Sequence, residues 1–109
     1  MLSHPSLQVE VVEAATVVRF TPRALREDTL RGVRTQLVRL VNETGWQEVY
    51  LDLGDVTFPT AGGLGMLVAL HKELRVAGGK LVVCNVRGRV AEVFALTRLT
   101  EVLDVRPGG

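Results

Sequence analysis

The stretch Val49-Tyr50-Leu51-Asp52-Leu53-Gly54-Asp55-Val56-Thr57-Phe58-Pro59-Thr60-Ala61-Gly62-Gly63-Leu64-Gly65 decides how this chain is read. Val49 to Leu53 is a short apolar strand, built of residues that suit a pleated, buried surface. Gly54-Asp55 follows as a turn and Val56 to Phe58 as a second apolar run. Pro59 breaks that run, because proline supplies no ladder donor. From Thr60 a helix begins, with Leu64, Leu67, Val68, His71 and Leu74 at spacings of three and four that set them on one face. Gly78-Gly79 closes it. Beyond lies another apolar strand, Lys80 to Val86, so the segment reads as strand, crossing helix and strand, the unit that builds parallel sheets.

Upstream, Gln8 to Val12 and Thr16 to Phe20 are two valine-rich runs so close together that they read as a hairpin, ended by Thr21-Pro22. Asp28 or Thr29 stands where it could cap a helix whose apolar positions are Leu30, Val33, Leu37, Leu40 and Val41. Arg31, Arg34, Gln36 and Arg39 take its other, solvated face, and Gly45 its C-terminus. Downstream, the near-continuous apolarity of Lys80 to Val86 is the pattern of a strand covered on both sides, which would bury Cys84. Val90, Val93, Phe94 and Leu96 suggest a third, shorter helix. Val102, Leu103 and Val105 suggest a last strand before the tail. The order β-β-α-β-α-β-α-β predicts an α/β fold, a mixed, largely parallel sheet with packed helices. One domain over residues 1–109 is expected, with 1–6 as an N-terminal arm and 106–109 as a C-terminal tail.

Bulk composition narrows the function. Of 109 residues, 47% are hydrophobic and 23% charged, the profile of a globular chain and not of a disordered one. Thirteen basic against twelve acidic residues leave a formal charge of +1, without the basic excess that displaces counterions from phosphate, so no nucleic-acid partner is expected. The single cysteine permits no intrachain disulfide and suits a reducing compartment, so a cytoplasmic location is expected. Met1 to Leu7 lack a basic start followed by an apolar run. No apolar stretch approaches the roughly 20 residues that cross a bilayer, so direct membrane insertion is not expected.

Candidate chemistry is sparse. His4 and His71 are the only histidines, and no His, Cys or acidic pair shows metal-ligand spacing. His71 reads as a half-buried packing residue. Ser3 and Ser6 are the only serines and have no base nearby in sequence. Asp52 and Asp55 flank a turn and read as strand-end and turn residues. No catalytic residue, metal or cofactor is therefore expected, nor an enzyme. The glycine-rich turn at Thr60 to Gly65 could attract an anion through exposed helix N–H groups. It matches neither G-x-x-x-x-G-K-[ST] nor G-x-G-x-x-G, and no lysine follows to reach a phosphate. Each glycine inside a helix costs about 1 kcal/mol relative to alanine. Three of them need a reason: a tight turn, close backbone packing, or a flat surface where a partner docks.

The segment Val49 to Phe58, then Gly63-Leu64-Gly65, Leu67, Leu70 and Gly78-Gly79-Lys80-Leu81-Val82-Val83, resembles the signature of the STAS domain, the domain of bacterial anti-sigma factor antagonists. Asn85-Val86, Val90 to Leu96 and Leu99 to Val105 resemble the family's closing helix and strand. The resemblance implies a signalling protein of transcription regulation that works by binding a partner, an anti-sigma factor that is also a serine kinase, or a related regulator. In such antagonists the partner phosphorylates a hydroxyl residue in an Asp-Ser-Ser/Thr-Gly turn, and the dianion then breaks the interface. Aligned without gaps, Thr60 stands at the Asp position, and Ala61 and Gly62 replace the two phosphoacceptor positions. A gapped register would instead bring Thr60 into the first hydroxyl slot as the phosphoacceptor. Read from the residues alone, Thr60 is a helix N-cap accepting the N–H of Gly62 or Gly63. The implied partner surface is Thr60, Ala61, Gly62, Gly63, Leu64 and Gly65, with Asp55, Thr21 and Arg23 from neighbouring loops. Two other readings stay open. One is a scaffold whose copies pair with each other, as a homodimer, or with a membrane transport or signalling complex. The other is a small-ligand or nucleotide sensor using the glycine turn as an anion nest.

Overall fold

The computed structural model describes residues 2–4, 7–12, 15–21, 27–45, 47–56 and 60–108; for 2–4, 27–30, 43 and 44 it describes the backbone alone. The elements run β1 (Leu2–His4), β2 (Leu7–Val12), β3 (Ala15–Phe20), α1 (Glu27–Thr44), β4 (Glu48–Asp52), α2 (Ala61–Val76), β5 (Lys80–Val86), α3 (Gly88–Leu96), α4 (Leu99–Val102) and β6 (Asp104–Pro107). One six-stranded sheet carries them in sequence order. The hairpin pairs Leu7 with Phe20 and Val12 with Ala15, and β1 adds antiparallel to β2. From β3 to β6 the pairing is parallel. The mixed, largely parallel sheet read from the sequence is what forms.

The period-2 geometry of strands divides the sheet into two unlike faces. Val18, Leu51 and Val83 lie side by side in the register and are fully buried. They join one core cluster with Val33, Leu37, Leu40 and Val41 of α1, Leu64, Leu67, Leu70 and Leu74 of α2, and Val90 and Phe94 of α3. The opposite face carries the row Val17, Tyr50, Val82, Asp104 and the row Arg19, Asp52, Cys84. Val82 is fully buried yet stands outside the core cluster. Long polar side chains surround it: Arg106 lies 6.0 Å over the Tyr50 ring, and Asp104 pairs with Lys80 and Arg106 at 3.7 Å each. Their hydrocarbon stems cover apolar surface while the charges stay wet.

Several expectations are corrected. The apolar run of β5 is buried on both sides, but on one side by this layer of side chains, so Cys84 is only half-buried. The presumed arm contributes β1, and β6 runs through Pro107 into the presumed tail. Helix α1 begins at Glu27, which puts Asp28 and Thr29 inside its first turn and not before it. Val102 belongs to the one-turn helix α4, and Leu96, expected on a packed face, is 84% exposed at the end of α3. Gly45 ends α1 with φ +66° and donates to Val41 O at 3.1 Å, as a left-handed cap should. The rest of the expected run, Thr57 and Phe58, its break at Pro59, and the end of β3 at Pro22 fall outside the described residues.

The junction between α2 and β5 is tight. Gly78 takes φ +81°, the Gly79 N–H reaches back to Leu74 O at 2.6 Å, and Lys80 N–H opens the β4–β5 ladder on Gln47 O at 2.6 Å. A β-carbon on Gly79 would stand 2.6 Å from that same Gln47 oxygen. Gly79→Ala should therefore force the helix end away from β4 and destabilise the fold by about 1–3 kcal/mol, the usual cost of overpacking. Urea titration should show a lower midpoint at unchanged m. An unshifted midpoint would mean that the junction is looser than drawn.

Candidate partner-binding surface

The carboxyl ends of β3, β4 and β5 and the N-termini of α2 and α3 meet at one end of the sheet, because each parallel strand must be followed by a helix running back across it. Thr60 starts α2. Its backbone is extended (φ −98°, ψ 161°), its Oγ1 accepts the Gly63 N–H at 3.0 Å, and its carbonyl accepts Leu64 N–H at 3.0 Å. This is the cap read from the sequence. The helical period then sorts the glycine-rich stretch. Gly63 and Leu64 are buried and face the core, while Ala61, Gly62 and Gly65 are exposed and Thr60 is half-buried. Of the six residues read as partner surface, then, Gly63 and Leu64 do not present side-chain positions to solvent. At Gly65 a β-carbon would meet nothing within 4 Å, so neither packing nor φ demands the glycine there.

Beside the cap, Asp52 ends β4. Its Oδ1 accepts the Gly54 N–H at 2.8 Å and its Oδ2 lies 3.6 Å from Arg19. Partial burial alone would raise the carboxyl. Hydrogen bonds from Asn85 and from the Gly54 amide, with the charge of Arg19, outweigh it and hold the group below its ordinary value. Asp55 is exposed in the following turn, which closes through Val56 N–H on Leu53 O at 3.0 Å. Thr21 lies half-buried just beyond β3, and Arg23 falls outside the described residues. Two residues of this end were missed from the sequence. Arg87 is exposed and donates from Nη2 to Gly54 O at 3.1 Å, tying the β5–α3 loop to the turn after β4. Asn85, at φ +56°, bends the end of β5 toward it. An asparagine next to a strand end, two residues before Arg87-Gly88, was the available signal, since asparagine tolerates the left-handed region better than most residues. Burial first, and then the Asp52 carboxylate, push the Cys84 thiol above its ordinary value.

The described residues at this end of the sheet offer backbone, small residues and a few tethered charges. Among the described residues no group of three or more His, Cys, Asp or Glu could hold a metal ion, and no helix is long and apolar enough to cross a membrane. The family model of the STAS domain matches residues 6–108, and the chain belongs to that family. Within it the chain resembles the anti-sigma factor antagonists. It is 32% identical over 63 residues to BtrV of Bordetella bronchiseptica, provisionally named an anti-sigma factor antagonist, a match covering 58% of this chain and 54% of BtrV. It is 26% identical over 68 residues to the anti-sigma-B factor antagonist of Staphylococcus aureus, covering 62% of this chain and 63% of that one. Both matches thus span less than two thirds of those relatives' lengths. The crystal structure of an anti-sigma factor antagonist from Mycobacterium paratuberculosis superposes with a TM-score of 0.82 at 24% identity, covering 97% of this chain and 91% of that one.

The lowered Asp52 carboxyl carries a sign for stability. The unfolded chain binds the proton more readily, so the contribution is complete above the ordinary carboxylate range and is lost as pH falls through the folded value. Urea midpoints measured across the acid range should fall with pH, and less steeply in Asp52→Asn. Equal slopes would show that Asp52 gains nothing from Asn85, Gly54 and Arg19.

Proposed function

We propose that this protein acts in the cytoplasm as a binding regulator of the anti-sigma factor antagonist type, without catalysis, and that its partner is an anti-sigma factor or related serine-kinase regulator. The partner docks on the exposed residues at the start of α2, Ala61, Gly62 and Gly65, with Thr60, Asp55 and Thr21 around them. The observation that carries this reading is the way the helix start is built: the cap and Gly63 hold it against the core while the residues facing solvent have almost no side chain. Such a surface lets a partner approach the backbone closely. The sheet order supports a protein partner over a nucleotide. Doubly wound sheets bind nucleotides in the crevice where strand order reverses, and the parallel strands β3 to β6 follow one another without reversal.

A charge at Gly62 separates docking from folding. Gly62 is the second residue of α2 and exposed, so Gly62→Glu puts a carboxylate at the favourable end of the helix dipole and removes a helix-disfavouring glycine. Its thermal midpoint should hold or rise while affinity for the anti-sigma factor, read by isothermal titration, falls at least tenfold. Wild-type affinity in this variant would move the contact surface elsewhere. The buried Gly63 offers no such clean test.

The phospho-switch of the antagonists is lost in this reading. Ala61 and Gly62 have no oxygen to accept a phosphate. Thr60 has one, but it precedes the second hydroxyl position by two residues, roughly 200° of helix rotation at about 3.6 residues per turn. Its Oγ1 also serves as the cap of α2. Incubation with the cognate kinase and ATP should leave the intact mass unchanged. A gain of one phosphate that disappears in Thr60→Val would restore the switch and the gapped register with it.

A further inference from the structure

Helices α1 and α2 do not close on each other along their solvent side. An open hollow of about 550 Å³ lies between them, lined by Arg31, Arg34 and Val38 of α1 and by Met66, Ala69 and Glu73 of α2, with Leu37 and Leu70 beneath. A second hollow of about 590 Å³ continues it past Glu73, the residue common to both, toward Val41, Lys72 and Val76. Leu37, Leu70 and Met66 are buried at 1%, 3% and 5% exposure and form the floor, while Val38 and Ala69 are half-buried on the walls. Ala69 has too little side chain to fill the seam. Among the described residues that line the two hollows, the cations Arg31, Arg34 and Lys72 stand against the acid Glu73. Arg31 and Arg34 are exposed and have no ion-pair partner among the described residues. In a chain of net charge +1 that is a local excess.

We propose that the α1–α2 groove is a second docking surface, which takes an acidic amphipathic helix of a partner protein. An apolar floor between two helix walls is filled by a third helix laying leucine-sized anchors at i, i+3, i+4 and i+7 into the seam. Acidic residues on the flanks of such a helix face Arg31 and Arg34 across the rim, where charge complementarity sets orientation and on-rate more than affinity. From Arg31 to Asn42 the α1 wall runs about 16 Å at 1.5 Å per residue, three turns of the incoming helix. This surface lies further along α2 than the one at its N-terminus, and adjoins it at Met66. The floor is recessed between helices and one wall carries an acid, which favours a helix over a flat anionic membrane.

The test uses the full chain, uniformly labelled with nitrogen-15, and a designed peptide of about 18 residues, five helical turns, with leucine at the anchor spacing and glutamate elsewhere. Amide shift changes should concentrate at Thr35, Val38, Ala69, Leu70 and Glu73. Arg31→Glu with Arg34→Glu should weaken binding at least tenfold with the thermal midpoint held, since both residues are exposed, and the lysine-for-glutamate peptide should not bind. Shift changes at the groove residues with none at Ala61 to Gly65 tell failure here apart from failure of the α2 N-terminal surface. Shifts centred on Ala61 to Gly65, equal binding of the lysine peptide, an unaltered affinity in the double variant, or no shifts at millimolar peptide would each overturn the proposal. So would vesicles of phosphatidylcholine and phosphatidylserine that bind the wild type, lose the double variant, and exceed the peptide in affinity.

Discussion

The handedness of crossover connections governs nearly everything else in this molecule. A strand joined to its parallel neighbour through a helix does so almost always with a right-handed turn. Here β3, β4, β5 and β6 succeed one another in a single direction across the sheet. Same hand and same direction put every crossover helix on the same face. One face of the sheet is therefore sealed by α1, α2 and α3 around Leu51 and Val83, and among the described residues no helix covers the other. The chain answers with residues that are apolar along their stems and charged at their tips. Tyr50, Lys80, Asp104 and Arg106 enclose Val82 without a second helical layer, and the Tyr50 hydroxyl is itself tied to Glu48.

The same constraint collects the helix N-termini at one end of the sheet and leaves no place where strand order reverses. A reversal is what opens a crevice for a nucleotide. Without it the carboxyl ends of the parallel strands have no such switch point, and the described turn there is held by side chains from two strands' ends. Arg87 holds the turn after β4 by its Gly54 carbonyl, and Asp52 holds the same turn by its amide. The turn after β4 is thus gripped from both sides. A surface already ordered before contact loses less entropy when a partner lands on it.

How much of this could be read from residues alone depended on the range of the interaction involved. Helix α2, its cap at Thr60 and its closing glycines rest on contacts within a few residues, and their pattern is plain in the sequence. The parallel pairing of β4 with β5 followed from the helix between them. What escaped notice were long-range compensations. An apolar triplet Leu81-Val82-Val83 looks the same whether helices or arginine stems cover its second face, so Cys84 was placed deeper than it is. Leu2 to His4 carries no strong strand pattern, and pairs only because β2 leaves an edge beside it. Arg87 and Asn85 act on a turn more than thirty residues earlier in the chain, and the asparagine beside the strand end signals the bend but not that link. Within the site, the order of Ala61-Gly62-Gly63-Leu64-Gly65 was legible but its facing was not. Only the helix phase set by Leu67, Leu70 and Leu74 turns Gly63 inward and Gly62 out.

That phase also explains how α2 tolerates its composition. Two exposed glycines and one buried glycine in its first turn and a half each cost about 1 kcal/mol against alanine, so propensity alone would not start a helix there. The Thr60 cap returns about 1 kcal/mol of this. Burying each of Leu64, Leu67, Leu70 and Leu74 contributes about 1.5–3 kcal/mol at the upper limit set by an extended unfolded chain. Packing outweighs propensity, and the helix forms because its inner face is covered. Its outer face is then released from any duty to stabilise the fold. Small residues can persist there, both at the N-terminal surface and, through Ala69, in the seam against α1, wherever contact with another molecule is better served by space than by a side chain.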